Sequence, residues 1–477
     1  MVFSNLTFVC LFLPIVLAAY FTAPQAARNL VLVAASVVFY VWGGRIAIVL
    51  IAVSVSANFA LGQAIARAEP VRRHRLIGWS VAGNLLVLIV FKYTNFIIDN
   101  INSVLDTFWS VRIPDPEMPL PLGISFFTFH IISYLVDVYR GVAQAQRSAV
   151  AFTLYIINFP QLIAGPIIRY RPIAPQLGER VVSFDDIDTG VARFAAGLAK
   201  KLLIANPIGA VGDHLFATAP SDLPIWAVWL AVVCFSLQIY FDFSGYYDMA
   251  IGMARMFGFR FPENFNYPYS ATSIKDFWRR WHMTLSAWFR DYVYVPLGGS
   301  RAGTWTTTRN LWIVFLLCGA WHGASWNFVV WGAWHGLFLS IERLRVIERT
   351  LLSAPRLLQN AYVLLTVMVG WVFFRSPTLE LALDMLSRMF GLQAGAATML
   401  PVSSHVAPPT MLLIALAALF SFPIWPQLRE FARKIVVTSG EQVAYDITRA
   451  VFIGAITVLC LATMTIDQNN PFIYFRF

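Results

Sequence analysis

Charged residues are scarce in this sequence, and their scarcity excludes an ordinary soluble protein. Only 13% of the 477 residues are Asp, Glu, Lys or Arg, 58% are hydrophobic, and the mean hydropathy is +0.65. A soluble domain carries about 25% charged and about 45–50% apolar residues, so one soluble core cannot bury this excess. The same figures exclude a disordered chain and a collagen-like repeat. Because a bilayer crossing takes about 20 residues, the composition predicts an all-α polytopic membrane protein.

Cysteines are few, and common hydrolase motifs are missing. The four cysteines lie far apart and form no CxxC pair. They are Cys10, Cys234, Cys318 and Cys460. They predict neither a disulfide framework nor a metal site. The sequence has no HExxH, Walker A or GxSxG motif. A cleaved signal peptide requires basic residues before its apolar run. None precedes the first apolar run here, so we expect a retained first helix.

Basic residues outnumber acidic ones by 35 to 25, which gives a net charge of +10. In a membrane protein this excess indicates cytoplasmic loops rather than nucleic-acid binding. The basic segments 67–75 and 429–434 are therefore predicted to be cytoplasmic, and the acidic segment 99–118 to lie outside. Counting helices from these segments places both termini outside. No repeat or linker divides the chain, so residues 1–477 are predicted to form a single domain.

The middle of the chain, residues 242–309, mixes arginines with aromatic residues. One interpretation is a set of interfacial helices with an aromatic belt and snorkelling arginines. The other is a cytoplasmic vestibule for an anionic ligand, and the two are compatible. The residues that we expect to line such a vestibule are Lys275, Arg279, Arg280, Trp281 and Arg290.

Histidines inside apolar segments are candidates for chemistry, because ionisable residues are costly in a membrane. His322 and His335 each occupy a Gly-Ala-Trp-His-Gly pentapeptide within the apolar window 310–340. On one continuous helix these two imidazoles would point about 220° apart and lie about 20 Å apart, so we expect only His322 to be a base. A structural role for His322 in helix packing is the alternative. His282 is either a vestibule residue with a chemical role or an interfacial histidine.

Structural roles are predicted for three other ionisable residues, Asp242, Asp248 and His130. The two aspartates are predicted to cap helices or bond between helices, although orientation of a base remains an alternative. His130 is predicted to pack against a neighbouring helix.

Several long blocks of the sequence resemble one enzyme family. The most specific are PLGISFFTFHIISYLVDVYRG, SIKDFWRRWHMTLSAWFRDYVYVPLGG and GAWHGASWNFVVWGAWHG, in that order along the chain. Together they resemble the membrane-bound O-acyltransferase superfamily, and within it the subunits that O-acetylate alginate and other bacterial polysaccharides. The resemblance implies a ring of about 11–13 transmembrane helices around a central tunnel, with re-entrant and interfacial helices.

The same resemblance implies acyl transfer at two signature histidines, His322 deep in the tunnel and His282 nearer the cytoplasm. It implies acetyl-CoA as the donor substrate, no permanently bound cofactor, and a bacterial inner-membrane location. A periplasmic serine-hydrolase-like partner would pass the acetyl group to an exported polysaccharide such as alginate. Peptidoglycan and cellulose are alternative acceptors, and a transporter or a non-enzymatic scaffold is an alternative function.

The C-terminal tail, residues 467–477, is aromatic to its last residue. One interpretation is an interfacial anchor. The other follows from the resemblance, because related systems carry acyl groups on a terminal Phe-x-Tyr-Phe motif, which Phe472–Phe475 matches. A tyrosine hydroxyl with a pKa near 10 needs a base to attack a thioester. His322 is therefore predicted to deprotonate Tyr474, which would carry the acetyl group outward.

Overall fold

The computed structural model describes residues 2–43, 47–163, 165–301, 303–393, 406–435, 439–466 and 472. Over these residues the chain forms helices joined by turns and extended links, without a β-strand. A helix satisfies its backbone N–H and C=O groups internally, as lipid requires. The all-α prediction is confirmed.

Seven helical stretches among the described residues are long and apolar enough to cross a membrane. They are Gln25–Gly43, Ala47–Arg67, Pro70–Phe108, Phe184–Ala217, Ile225–Met256, Arg356–Arg375 and Gly440–Ile466. Shorter apolar helical stretches occupy Phe8–Thr22, Ile124–Tyr139 and Pro408–Phe420. The polytopic membrane class is confirmed, whereas the ring of 11–13 spans stays a prediction.

The first third of the chain forms one largely buried helix and several helices that pack around it. Its helices are α1 (Leu13–Thr22), α2 (Arg28–Gly43), α3 (Ala47–Arg67), α4 (Pro70–Phe108), α5 (Ile124–Tyr139), α6 (Ala149–Ile157), α7 (Phe159–Leu162) and α8 (Tyr170–Ile173). Helix α5 is buried along nearly all of its length and packs against α3 and α4. Helix α4 has 39 residues, about 58 Å at 1.5 Å per residue. It is therefore longer than the roughly 30 Å hydrocarbon core.

The centre of the molecule is a tightly packed pair of helices. The elements here are α9 (Phe184–Ala199), a π-helical turn (Lys200–Ala205), α10 (Asn206–Ala217) and α11 (Ile225–Met256). Glycines at matching spacing let α9 and α11 approach closely, Gly190 opposite Gly252 and Gly197 opposite Gly245. A Cβ on Gly252 would lie 2.6 Å from the Gly190 carbonyl oxygen. Such close approach by small residues is typical of helix pairs in membranes.

Two short helices follow, α12 (Ile274–Arg280) and α13 (Met283–Phe289), with a π-helical turn at Arg290–Tyr294. Ser273 caps α12 by accepting a hydrogen bond from the Asp276 N–H at 3.0 Å. Between the helices His282 has a φ of 43°, a left-handed conformation that non-glycine residues rarely adopt. Such backbone strain clusters at functional sites.

The apolar window 310–340 is a hairpin, not one helix. Helix α14 (Thr304–His322) ends at His322, an extended link covers 323–325, and α15 (Trp326–Ile341) packs back against α14. Gly319 and Gly332 face each other, with the Gly319 Cβ position 3.3 Å from the Gly332 Cα. The expected separation of His322 and His335 by about 20 Å along one helix is therefore wrong, because the chain reverses between them.

The remaining helices close the molecule around this hairpin. They are α16 (Arg345–Ser353), α17 (Arg356–Arg375), α18 (Leu379–Met389), α19 (Pro408–Phe420), α20 (Ile424–Ile435) and α21 (Ser439–Ile466). Helix α17 packs against both α15 and α11. It brings Trp371 and Phe374 into the aromatic cluster that surrounds His322.

Candidate active site

His322 ends α14 with its imidazole enclosed by rings and only 6% of the residue exposed. Its Nδ1 lies 2.8 Å from the Cys318 carbonyl oxygen, so the Nδ1–H donates to that carbonyl. In a neutral imidazole the other nitrogen, Nε2, then carries the lone pair. The rings of Trp321, Trp331 and Phe374 pack against it, with centroids 4.9, 4.8 and 5.4 Å away. This hydrogen bond leaves His322 Nε2 suited to accept a proton.

His282 is fully buried, so it is not an interfacial histidine. Its Nδ1 lies 3.2 Å from the Asn264 amide nitrogen. The Asn264 amide oxygen already accepts from the Thr284 N–H and hydroxyl, at 2.8 and 2.9 Å. Nδ1 therefore accepts from the Asn264 amide, which assigns the ring proton to Nε2. The His282 and Trp321 ring centroids are 6.1 Å apart.

His335 lies in the same aromatic cluster as His322, because both rings pack against Trp331. The Trp278 indole N–H donates to His335 Nδ1 at 3.3 Å, so Nε2 carries the ring proton. His335 thus offers no free basic nitrogen. The assignment of His322 alone as the base stays a prediction, and the helical-direction argument for it no longer holds.

A cavity of about 200 Å³ reaches Cys318, one helical turn before His322. Its lining combines three basic residues with an apolar wall, and includes Lys275, Arg279, Arg290, Phe315 and Cys318. Cys318 is the residue whose carbonyl orients His322. Three of the predicted vestibule residues therefore share a cavity with Cys318, the hydrogen-bond partner of His322.

Two predicted vestibule residues lie elsewhere. The Arg280 guanidinium pairs with the Asp276 carboxylate at 2.9 Å, one helical turn away. Trp281 is buried among other rings, with centroids 5.0 Å from those of Phe265 and Trp371. Neither residue lines the cavity.

Arg290 belongs to an ionic cluster at the cavity edge. Its Nε lies 2.7 Å from Asp291 Oδ1, and Arg169 also pairs with this carboxylate. Burial raises the pKa of Asp291, but the two guanidinium groups outweigh it and hold that pKa below its usual range. Asp291 is thus a stable counterion that fixes the position of Arg290.

Asp242 and Asp248 form contacts between helical segments, as predicted, whereas His130 contacts the backbone of the loop before α8. Asp242 pairs with Lys201, and both side chains are buried. Asp248 Oδ1 accepts from Arg193 at 2.9 Å, and its Oδ2 accepts from Lys200 at 2.6 Å. His130 Nε2 accepts from the Ile168 N–H at 3.2 Å. These contacts connect α9, α11 and α5 to their neighbours.

Lys92 was missed by the sequence analysis. This α4 residue donates to the Trp321 carbonyl and lies 3.4 Å from the His322 carbonyl oxygen, while Tyr93 donates to the Ala320 carbonyl. The last carbonyls of a helix have no partner within the helix, and a cation stabilises them. Lys92 and Tyr93 together cap the end of α14 and so position His322. A lone lysine in the apolar window 76–98 was the available signal.

Replacement of Lys92 tests this positioning role. We expect Lys92→Met to lower the maximal rate of acetyl transfer about tenfold and leave the acetyl-CoA concentration at half-maximal rate unchanged, because the lysine does not line the donor cavity. Lys92→Arg should retain more activity. Thr94→Val, an exposed α4 change, is the control. Initial rates in inverted membrane vesicles make the measurement, and an unaltered maximal rate for Lys92→Met would contradict the role.

The C-terminal tail has one described residue after 466, and it is inside the protein. Phe472 is 1% exposed, its ring centroid is 4.7 Å from that of Tyr246, and Lys201 Nζ lies 4.8 Å from the ring centroid. Tyr474, the predicted acyl carrier, lies outside the described residues.

Comparison with known proteins agrees with this site. The family model described as "MBOAT, membrane-bound O-acyltransferase family" matches residues 126–374. The "Probable alginate O-acetylase AlgI" of Azotobacter vinelandii is 43% identical over 82% of this chain and 78% of its own. The protein of that name from Pseudomonas putida is 38% identical over 100% of both chains. The "Peptidoglycan O-acetyltransferase" of Helicobacter pylori is 35% identical over 82% and 80%. The chain belongs to the membrane-bound O-acyltransferase family.

Proposed function

We propose that this membrane-bound O-acyltransferase takes an acetyl group from cytoplasmic acetyl-CoA and passes it across the bacterial inner membrane to modify an exported polysaccharide. One observation carries the proposal. The cavity lined by Lys275, Arg279 and Arg290 reaches Cys318, whose carbonyl oxygen accepts the hydrogen bond that orients the His322 imidazole. If an anionic donor binds at these basic residues, its thioester would be directed toward the His322 imidazole.

The donor end of the cavity suits the phosphates of CoA. Lys275, Arg279 and Arg290 supply ammonium and guanidinium groups, which bind phosphate through charge-assisted hydrogen bonds. The apolar wall suits the uncharged pantetheine arm and the thioester. Acetyl-CoA acts here as a substrate that enters and leaves.

The reaction transfers the acetyl group from the sulfur of CoA to the phenolic oxygen of Tyr474. His322 Nε2 takes the hydroxyl proton of Tyr474 while the phenolic oxygen attacks the acetyl carbonyl carbon. The C–S bond breaks, and the CoA thiolate receives the proton from His322. The resulting tyrosine ester is a more reactive acyl donor than an alkyl ester, because phenolate is the better leaving group.

The position of Phe472 supports an inward tail. Phe472, two residues before Tyr474 in the sequence, is buried. Ring contacts continue from Phe472 to Tyr246, then to Tyr247, and then to His282. The buried Phe472 is therefore linked by a path of aromatic rings to the second signature histidine, which supports a carrier role for this segment.

The acceptor follows from the relatives. Two of the reported relatives are named for alginate and one for peptidoglycan, so an exported polysaccharide such as alginate is the favoured acceptor. Peptidoglycan is the second candidate, on the Helicobacter pylori protein. Cellulose remains a further alternative. An extracytoplasmic partner enzyme with a serine nucleophile would accept the acetyl group from Tyr474 and deliver it to the sugar.

The donor site can be tested by charge neutralisation. We expect Lys275→Gln, Arg279→Gln and Arg290→Gln, each alone, to raise the acetyl-CoA concentration at half-maximal rate about fivefold, because each loses one charge-assisted bond to phosphate. Maximal rates should change little. Arg345→Gln, on α16 and outside the cavity lining, is the control. Unchanged acetyl-CoA dependence in all three variants would contradict a donor site here.

A further inference from the structure

Buried ring nitrogens without a hydrogen-bond partner cluster around His322. Within the described part of the chain, Trp321 Nε1, Trp331 Nε1, His282 Nε2 and His335 Nε2 have none. An indole N–H can only donate a hydrogen bond, and leaving such a donor buried and unpaired costs free energy. Native proteins hold few such groups, so a cluster of them needs a physical reason.

The two tryptophans differ from six others in the described part of the chain. Indole N–H groups elsewhere donate to carbonyl, hydroxyl, amide or imidazole acceptors, namely those of Trp229, Trp278, Trp288, Trp312, Trp326 and Trp334. Trp321 and Trp331 are also nine-tenths buried or more. Trp371 Nε1 is also unpaired, but of these three buried indoles only Trp321 and Trp331 have a ring contact with His322 among those described.

The placement of these rings suits an acyl substrate. Trp321 and Trp331 both meet the His322 ring edge to face, at interplanar angles of 89° and 67°. A substrate carbon that receives a nucleophile activated by His322 Nε2 must lie beside this imidazole. Its carbonyl oxygen then lies near rings whose buried indole N–H groups have no acceptor among the described residues.

We infer that the indole N–H groups of Trp321 and Trp331 hold the acetyl carbonyl oxygen and stabilise the negative charge that develops on it. This inference rests on the proposed role of His322 as base. When the tyrosine oxygen attacks the carbonyl carbon, the C=O electron pair moves onto this oxygen, and the two indole N–H groups donate to it. When the C–S bond breaks, the pair returns, the carbonyl is restored and the CoA thiolate leaves. Donors fixed in a site that excludes water stabilise such charge most effectively.

Removal of one N–H tests the inference. We expect Trp331→Phe to lower the maximal rate of acetyl transfer about 100-fold, while the acetyl-CoA concentration at half-maximal rate stays within about twofold. Trp334→Phe is the matched control. It lies three residues away on α15, and its N–H already donates to the Thr366 carbonyl at 2.8 Å. Loss of the Trp334 N–H should leave the maximal rate of acetyl transfer nearly unchanged.

A second replacement separates the hydrogen bond from packing. Trp331 is replaced by benzothienylalanine, which keeps the two-ring shape and has sulfur in place of the N–H. A loss of rate like that of Trp331→Phe, at normal abundance in the membrane, supports the inference. A rate equal to wild type overturns it, even if Trp331→Phe fails to accumulate.

His322→Ala distinguishes this inference from the function beneath it. An inactive His322→Ala enzyme beside a fully active benzothienylalanine enzyme overturns the indole role alone and leaves the base intact. An active His322→Ala enzyme overturns the base role, and the indole assignment with it.

Discussion

Replacement of His322 by alanine is expected to lower acetyl transfer by about 10²- to 10⁴-fold, the usual contribution of a general base. The imidazole is held by one hydrogen bond from its Nδ1–H to the Cys318 carbonyl, which leaves Nε2 as the acceptor. Alanine removes this nitrogen, and His282 and His335 do not replace it, because Nδ1 of each already accepts a hydrogen bond. Acetylated polysaccharide per unit of membrane-bound enzyme is the measurement.

Two histidine controls accompany this variant. His335→Ala should retain turnover at normal abundance, because its Nδ1 is occupied by the Trp278 N–H. His214→Ala changes an exposed histidine on α10 and should resemble wild type. Loss of turnover in His335→Ala, combined with activity in His322→Ala, would reverse the assignment.

Replacement of Tyr474 by phenylalanine is expected to abolish polymer acetylation without lowering the amount of protein. The change keeps the aromatic ring and removes only the hydroxyl that forms the ester. An interfacial anchor needs the ring alone, so the variant separates a carrier from an anchor. Tyr445→Phe, on α21, is the matched control and should keep full activity.

The relay and its alternative differ in a second respect. If Tyr474 carries the acetyl group, the Tyr474→Phe enzyme should still bind acetyl-CoA with normal affinity, because the cavity is unchanged. A fully active Tyr474→Phe enzyme would eliminate the relay and leave direct transfer from CoA to the partner enzyme.

Much of the fold could be predicted because it depends on composition. Sparse charge and long apolar runs require helices in a membrane, and the structure has them. The hairpin at 323–325 could not be predicted, because the residues around it are as apolar as a continuous span and contain no proline. That reversal is what brings His335 into the cluster of His322.

The candidate site was only partly predictable. The basic residues of α12 predict an anion site from the sequence alone. The sequence does not show that Arg279 lines the cavity while Arg280 bonds to Asp276, because this depends on the geometry of the helix. The tautomers of His282 and His335 depend on partners more distant in sequence, Asn264 and Trp278. The capping role of Lys92 depends on how α4 meets the end of α14.

Mass analysis of the C-terminal peptide tests the central claim most directly. Purified full-length protein is incubated with acetyl-CoA in the absence of a partner, cleaved, and the peptide that contains Tyr474 is weighed. We predict one added acetyl group on Tyr474 in the wild-type protein and none in His322→Ala. An unmodified peptide, from protein that still acetylates polymer once the partner is supplied, would contradict the account.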